Sequence, residues 1–143
     1  MKNEIICLGH KIKVFSTSGN YDLIQGETLP DVPGPPPHYH ALLSETFYVL
    51  DGMMEFLVNG ESVVLQKGDS IDLPPHTVHT FKTIGDSPSR YLNIHSPKGF
   101  LSFFNEFGID AAEHNAFQKS VDPTVISAVI DQAVIFDMHL VKA

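Results

Sequence analysis

The chain has 143 residues, 43% of them hydrophobic and 18% charged, which suits one domain with a real core and excludes intrinsic disorder. A net charge of −8 with nine scattered Lys and Arg argues against nucleic acid or an anionic membrane surface as a partner, because phosphate recognition needs clustered cations. The single cysteine, Cys7, excludes an intrachain disulfide and a multi-cysteine zinc site; with no signal-like start and no run of membrane-spanning length, a cytoplasmic protein is expected.

Lys11 to Phe15 alternates weakly and reads as a strand, Ser16 to Asn20 as a turn, and Tyr21 to Gln25 as a second strand. Leu29 to Pro37 holds five prolines and one glycine, a composition that forbids helix and favours an extended arm. Thr46 to Leu50 is β-branched, aromatic or apolar, as in a buried strand, and Asp51-Gly52 supplies a turn. Asn59-Gly60 between two apolar runs, Met53 to Val58 and Glu61 to Leu65, marks a hairpin, since both turn positions take positive φ. After the Lys67-Gly68-Asp69 turn come a short strand, Ser70 to Leu73, a stop at Pro74-Pro75, and two strands over Thr80 to Ile84 and Arg90 to His95. About eight short strands with regular turns point to an antiparallel sandwich or barrel.

The period then changes. Phe100, Phe103, Phe104 and Phe107 form one helical stripe, with Pro97 suited to the first turn. Asp122-Pro123 reads as a helix cap followed by a proline at the first helical position, and Ile126, Val129, Ile130 and Ala133 repeat the helical spacing. Val134 to Val141 is apolar and uncharged apart from Asp137, and fits either more helix or a returning strand. The chain reads as one domain: a β-barrel over residues 1–96 and a C-terminal helical extension over 97–143.

The stretch PGPPPHYHALLSETFYVLDG carries the chemistry. His38 and His40 are two apart, so an extended backbone turns both imidazoles to one face. Glu45 is an odd number of residues further on, so Ala41 to Ser44 must bend or bulge before it can join them. Two imidazoles and a carboxylate form a transition-metal set that leaves positions open for oxygen or substrate. A second cluster, KGDSIDLPPHTVHTF, offers His79 at the start of a strand and His76 in the turn before it. His95 lies on the last barrel strand, where a histidine more often holds a ligand by a hydrogen bond than binds metal itself. His10, His114 and His139 belong to no cluster and default to structural or exposed positions. Phe47, Val49, Met54, Phe56 and Phe81 are candidate cavity walls by strand alternation.

The two stretches together resemble the paired signature motifs of the cupin superfamily. His38, His40, Glu45 and Gly52 match the first motif, and Gly68, Pro74 and His79 match the second. His76 and Thr83 stand where the family usually has glycine and asparagine, and Gly34 is displaced from the first motif's leading glycine; none of these is a ligand position. The prolines before His38 and the phenylalanine-rich helix are similar to small single-domain cupins of the flavonol or quercetin dioxygenase kind. The resemblance implies an all-β jelly-roll barrel with C-terminal α-helices and one divalent metal (Fe, Mn, Ni, Cu or Zn) on His38, His40, Glu45 and His79. It implies a metal-dependent dioxygenase acting on a small aromatic or keto/enol compound, with Glu45 able to serve as general base. Exposed barrel edges are commonly covered by a second copy, so a homodimer is expected. A metal-dependent isomerase or lyase using the same ligands, or a non-catalytic small-molecule binder, remain the rival classes.

Overall fold

Alternation of inward apolar and outward polar residues gives this computed structural model, which describes residues 3–141, its two facing sheets. The strands are β1 (Glu4–Cys7), β2 (His10–Phe15), β3 (Asp22–Thr28), β4 (His38–Tyr39), β5 (Ser44–Asp51) and β6 (Met53–Val58). They continue as β7 (Glu61–Gln66), β8 (Ser70–Leu73), β9 (His79–Thr83) and β10 (Ser89–Ser96). Then follow α1 (Leu101–Phe107), β11 (Ile109–Asp110), α2 (Ala116–Ser120), α3 (Pro123–Gln132) and β12 (His139–Leu140). One sheet runs β11-β1-β2-β3-β10-β5-β8 and the other β12-β4-β9-β6-β7, with antiparallel pairing. This is the expected all-β jelly roll with C-terminal helices. Among the described residues the ladders stay within the two sheets and do not close into one continuous barrel. The proline arm contributes to this, because four prolines between residues 33 and 37 offer no N–H to a ladder.

Asn59 and Gly60 take φ of 50° and 84°, and β6 and β7 pair across them. β1 was not legible: Ile5-Ile6-Cys7 shows no alternation, and its turn at Leu8-Gly9, with φ of 50° and 85°, carries no Asn-Gly signal. α1 forms as the phenylalanine stripe predicts and buries Phe103, Phe104 and Phe107. Pro97 is not in its first turn. It stands ahead of the helix in a cis peptide bond, and the Asp22 carboxylate instead accepts from the Gly99 and Phe100 amides at 2.9 and 3.0 Å. α3 begins as predicted, with Asp122 accepting from the Thr124 amide at 2.9 Å.

The apolar tail does both things open to it. A 3-10 turn over Ala133–Phe136 extends α3, Asp137 at φ 60° redirects the backbone, and β12 then pairs with β4. Two apolar clusters result. One packs Ile5, Cys7, Ile12 and Ile24 against Phe103 and Phe107 of α1, Val129 of α3 and Met138 just before β12. The other lies between the sheets around Phe47, Val49, Met54, Phe56, Leu73 and Tyr91.

Candidate metal centre

The site is assembled from both sheets. His38 lies in β4 directly opposite His79 of β9, and His40 follows one residue past the end of β4. Glu45 comes from β5 in the facing sheet, with its side chain inward like those of Phe47 and Val49. The bend required between His40 and Glu45 is therefore the crossing of the chain from one sheet to the other.

Each imidazole is held through Nδ1. His38 Nδ1 meets the Pro36 carbonyl at 2.8 Å, His40 Nδ1 the Asp137 carbonyl at 2.8 Å, and His79 Nδ1 the Thr77 carbonyl at 2.9 Å. A carbonyl only accepts, so each Nδ1 carries the proton and donates, and each Nε2 is left for the interior. The proline arm supports this placement: Thr80 donates its hydroxyl to the Pro35 carbonyl. Gly34 passes so close to the Phe81 carbonyl that a Cβ there would overlap it.

Glu45 is buried and lies between two histidines. His79 Nε2 is 2.9 Å from Oε1, His95 Nε2 is 2.8 Å from Oε2, and His40 Nε2 is 4.0 Å from Oε1. Burial opposes the Glu45 charge, yet the hydrogen bonds from His79 and His95 outweigh it and hold the carboxyl well below its usual range. Burial likewise opposes a charged His79, but its bond to Glu45 prevails and raises its pKa. Burial pushes His38 down to about 3, helped by His79, and lowers His40 despite Glu45. His38 and His40 thus stay neutral with free lone pairs.

These residues fit a metal ion. One donor atom from each of His38, His40, Glu45 and His79 lies within 4.8 Å of the other three, all four residues are buried, and the group could hold an ion. His40 Nε2 is buried with no hydrogen-bond partner, a cost in an apolar interior that a bound ion would remove. His95 bonds to Glu45 and does not join the four donors, as a histidine that holds a ligand would. His76 sits at φ 69° in an exposed turn beside Tyr39, away from the cluster.

His38, His40 and Glu45 of the cluster form part of the wall of a cavity of about 510 Å³, within the ~300–1,000 Å³ usual for small-molecule sites. Phe47 and Phe81 line it as alternation predicts, whereas Val49, Met54 and Phe56 are packed behind the wall. Phe100, Phe103 and Phe104 of the stripe serve both core and cavity. Several contributors were not singled out from sequence. Asp137 accepts from the Ala41 and Leu42 amides at 2.9 Å each while its carbonyl orients His40. Its one signal was being the sole charge in an apolar run. His10, Tyr91 and Asn93 also line the cavity; His10 shows only as a residue in step with Ile12 on β2.

Residues 27–95 match the family model described as a cupin domain, in line with the motif resemblance. It is 27% identical over 105 residues to quercetin 2,3-dioxygenase of Bacillus subtilis, covering 73% of this chain but 31% of that enzyme. KdgF from Halomonas sp. superposes with a TM-score of 0.57 at 23% identity, over 63% of this chain and 80% of that one. A cupin-superfamily sugar phosphate isomerase from Silicibacter pomeroyi gives 0.58 at 17% identity, over 64% and 61%. The two solved structures support the fold alone. The chain spans less than half the length of the curated relatives it matches.

Proposed function

We propose that this cupin is a metal-dependent dioxygenase for a small aromatic or keto/enol compound, with one divalent transition ion (Fe, Mn, Ni, Cu or Zn) held by His38, His40, Glu45 and His79. The carrying observation is the clustering of these four donors, three of which, His38, His40 and Glu45, line an apolar, phenylalanine-lined cavity. When bound, the ion would supply Lewis acidity toward a substrate oxygen. The Nδ1 bonds of the three histidines keep their Nε2 atoms aimed inward, and the phenylalanines exclude water and align a ring. Glu45 is the base in this reading. Oε1 faces the cluster and takes a proton from a substrate hydroxyl, while His95 keeps Oε2 in place. The likeness to quercetin 2,3-dioxygenase supports the reaction class.

An isomerase or lyase would use the same ligands without oxygen. Against a phosphorylated sugar stands the lining of the cavity, which among the described residues includes no Lys or Arg to meet a phosphate. We also infer a homodimer, since Leu42, Ile126, Ile130, Val134 and Ile135 leave apolar side chains exposed. Oxygen uptake by protein loaded separately with each of the five metals, given 3-hydroxyflavones and β-diketones, tests the reaction. Consumption of oxygen with product formation is expected with at least one metal. Turnover that proceeds equally under anaerobic conditions would overturn the dioxygenase reading in favour of an isomerase or lyase. Binding without turnover in air would leave a ligand-binding cupin.

A further inference from the structure

β10 carries three inward side chains in a row, His95, Asn93 and Tyr91, at two-residue spacing. At about 3.3 Å per residue, Tyr91 stands roughly 13 Å from His95 along the strand. The cavity therefore has a metal-ligand end and a second end, and the second end is polar as well. Tyr91 Oη is 3.0 Å from Thr28 Oγ1, which is 2.8 Å from His10 Nδ1. The Tyr91 ring lies against Gly26, its cross-strand neighbour, where any Cβ would overlap it. Phe47 and Phe81 flank that ring at centroid distances of 5.6 and 5.7 Å.

Tyr91 Oη has one proton and two acceptor lone pairs, so its bond to Thr28 leaves at least one lone pair whichever oxygen donates. Tyr91 lines the cavity, where that lone pair is unused by the chain of hydrogen bonds. A donor on a ligand would take it and extend the chain. Asn93 lies between the two ends, with one amide proton toward the Thr46 carbonyl at 3.3 Å.

We propose that His10, Thr28 and Tyr91 form a second recognition point for the ligand, at which Tyr91 Oη accepts a hydrogen bond from a hydroxyl carried on the end remote from the His38, His40, Glu45 and His79 group. The substrate class is then an elongated aromatic compound, oxygen-bearing at the metal end and hydroxylated at the other. This rests on the metal-site reading above and adds to it the specificity for the distal hydroxyl. Tyr91 touches the ligand; Thr28 and His10 are positioning residues that hold its hydroxyl in place.

The test measures equilibrium binding to metal-loaded protein of 3-hydroxyflavone and of derivatives with one further hydroxyl at the 7, 3′ or 4′ position. Each hydroxylated probe is paired with its methoxy counterpart, which can accept but not donate. At least one hydroxylated probe should bind about 3- to 10-fold more tightly than the parent, the worth of one net hydrogen bond. Its methoxy partner should gain nothing. Tyr91→Phe should abolish that preference while metal content by elemental analysis stays at wild-type level, and Thr28→Val should reduce it. The proposal is overturned if no hydroxylated probe is preferred by the wild type, if the methoxy compound does as well, or if the preference survives in Tyr91→Phe. The methoxy comparison needs only the wild type, so a poorly folding variant does not decide the matter. Equal binding of all probes sinks this inference and leaves the metal-site reading standing; no binding by any of them sinks both.

Discussion

Three histidines, on β4, just past its end and on β9, are fixed by one device, an Nδ1 proton given to a backbone carbonyl, and the side chain that completes the set arrives from the opposite sheet. Removing one of three imidazoles leaves too few ligands for tight binding, so wild-type protein should carry close to one ion per chain by elemental analysis and His38→Ala or His79→Ala should lose it. His95→Ala should retain a weaker site, by about 10- to 100-fold in affinity, because it removes only the support of Glu45. Wild-type protein that stays metal-free after loading with all five ions would sink the assignment. A second prediction concerns His10, whose pKa burial lowers to about 4 from an ordinary 6.5. Here protonation favours the unfolded chain. The stability that rests on neutral His10 is complete above the unfolded value and is lost as pH falls from about 6.5 toward 4, at up to ~1.4 kcal/mol per pH unit. Urea titrations across that range should slope less steeply for His10→Asn, and an unchanged slope would contradict the assignment.

At the scale of elements, the C-terminal tail belongs to the site. Asp137 caps the 41–42 amides, bonds His139 at 3.0 Å and orients His40 through its carbonyl, while β12 covers the free edge of β4. Asp137→Ala leaves two amides without their partner and loosens the segment that carries the chain from His40 to Glu45. Metal affinity should fall about 10- to 100-fold, measured by competition with a chromophoric chelator. Asp137→Asn, which keeps one acceptor oxygen and tolerates the left-handed backbone, should recover part of the loss. Equal affinity in all three proteins would show that the tail does not position His40.

For the whole molecule, a buried donor set shared by two sheets would couple metal binding to folding. An ion that binds only the folded chain stabilises it by about 2.7 kcal/mol at a free concentration 100 times its Kd, so Tm should rise on loading and fall on chelation. A Tm indifferent to both would mean that the four donors do not bind together. The exposed apolar side chains on α3 and after it predict a dimer by light scattering, with Ile130→Lys shifting the mass to that of a monomer. A wild-type monomer at micromolar concentration would refute the pairing.

The local signals in the chain were enough for the hairpin at Asn59-Gly60, the cap at Asp122-Pro123, the helical stripe of phenylalanines, and the motif-based grouping of His38, His40, Glu45 and His79. Each of these is a short-range pattern of residue type, spacing or turn geometry, and such patterns can be read without knowing what lies opposite. The tertiary structure decided what depends on residues far apart in the chain. It placed Glu45 on the sheet facing the histidines, brought Asp137 to His40 across 97 positions, and put Asp22, not Pro97, at the amides leading into α1. It also joined His10, Thr28 and Tyr91 on three strands into one polar chain. None of those contacts has a sequence period, because they are set by which strands the fold makes neighbours and by which buried polar groups must then find partners.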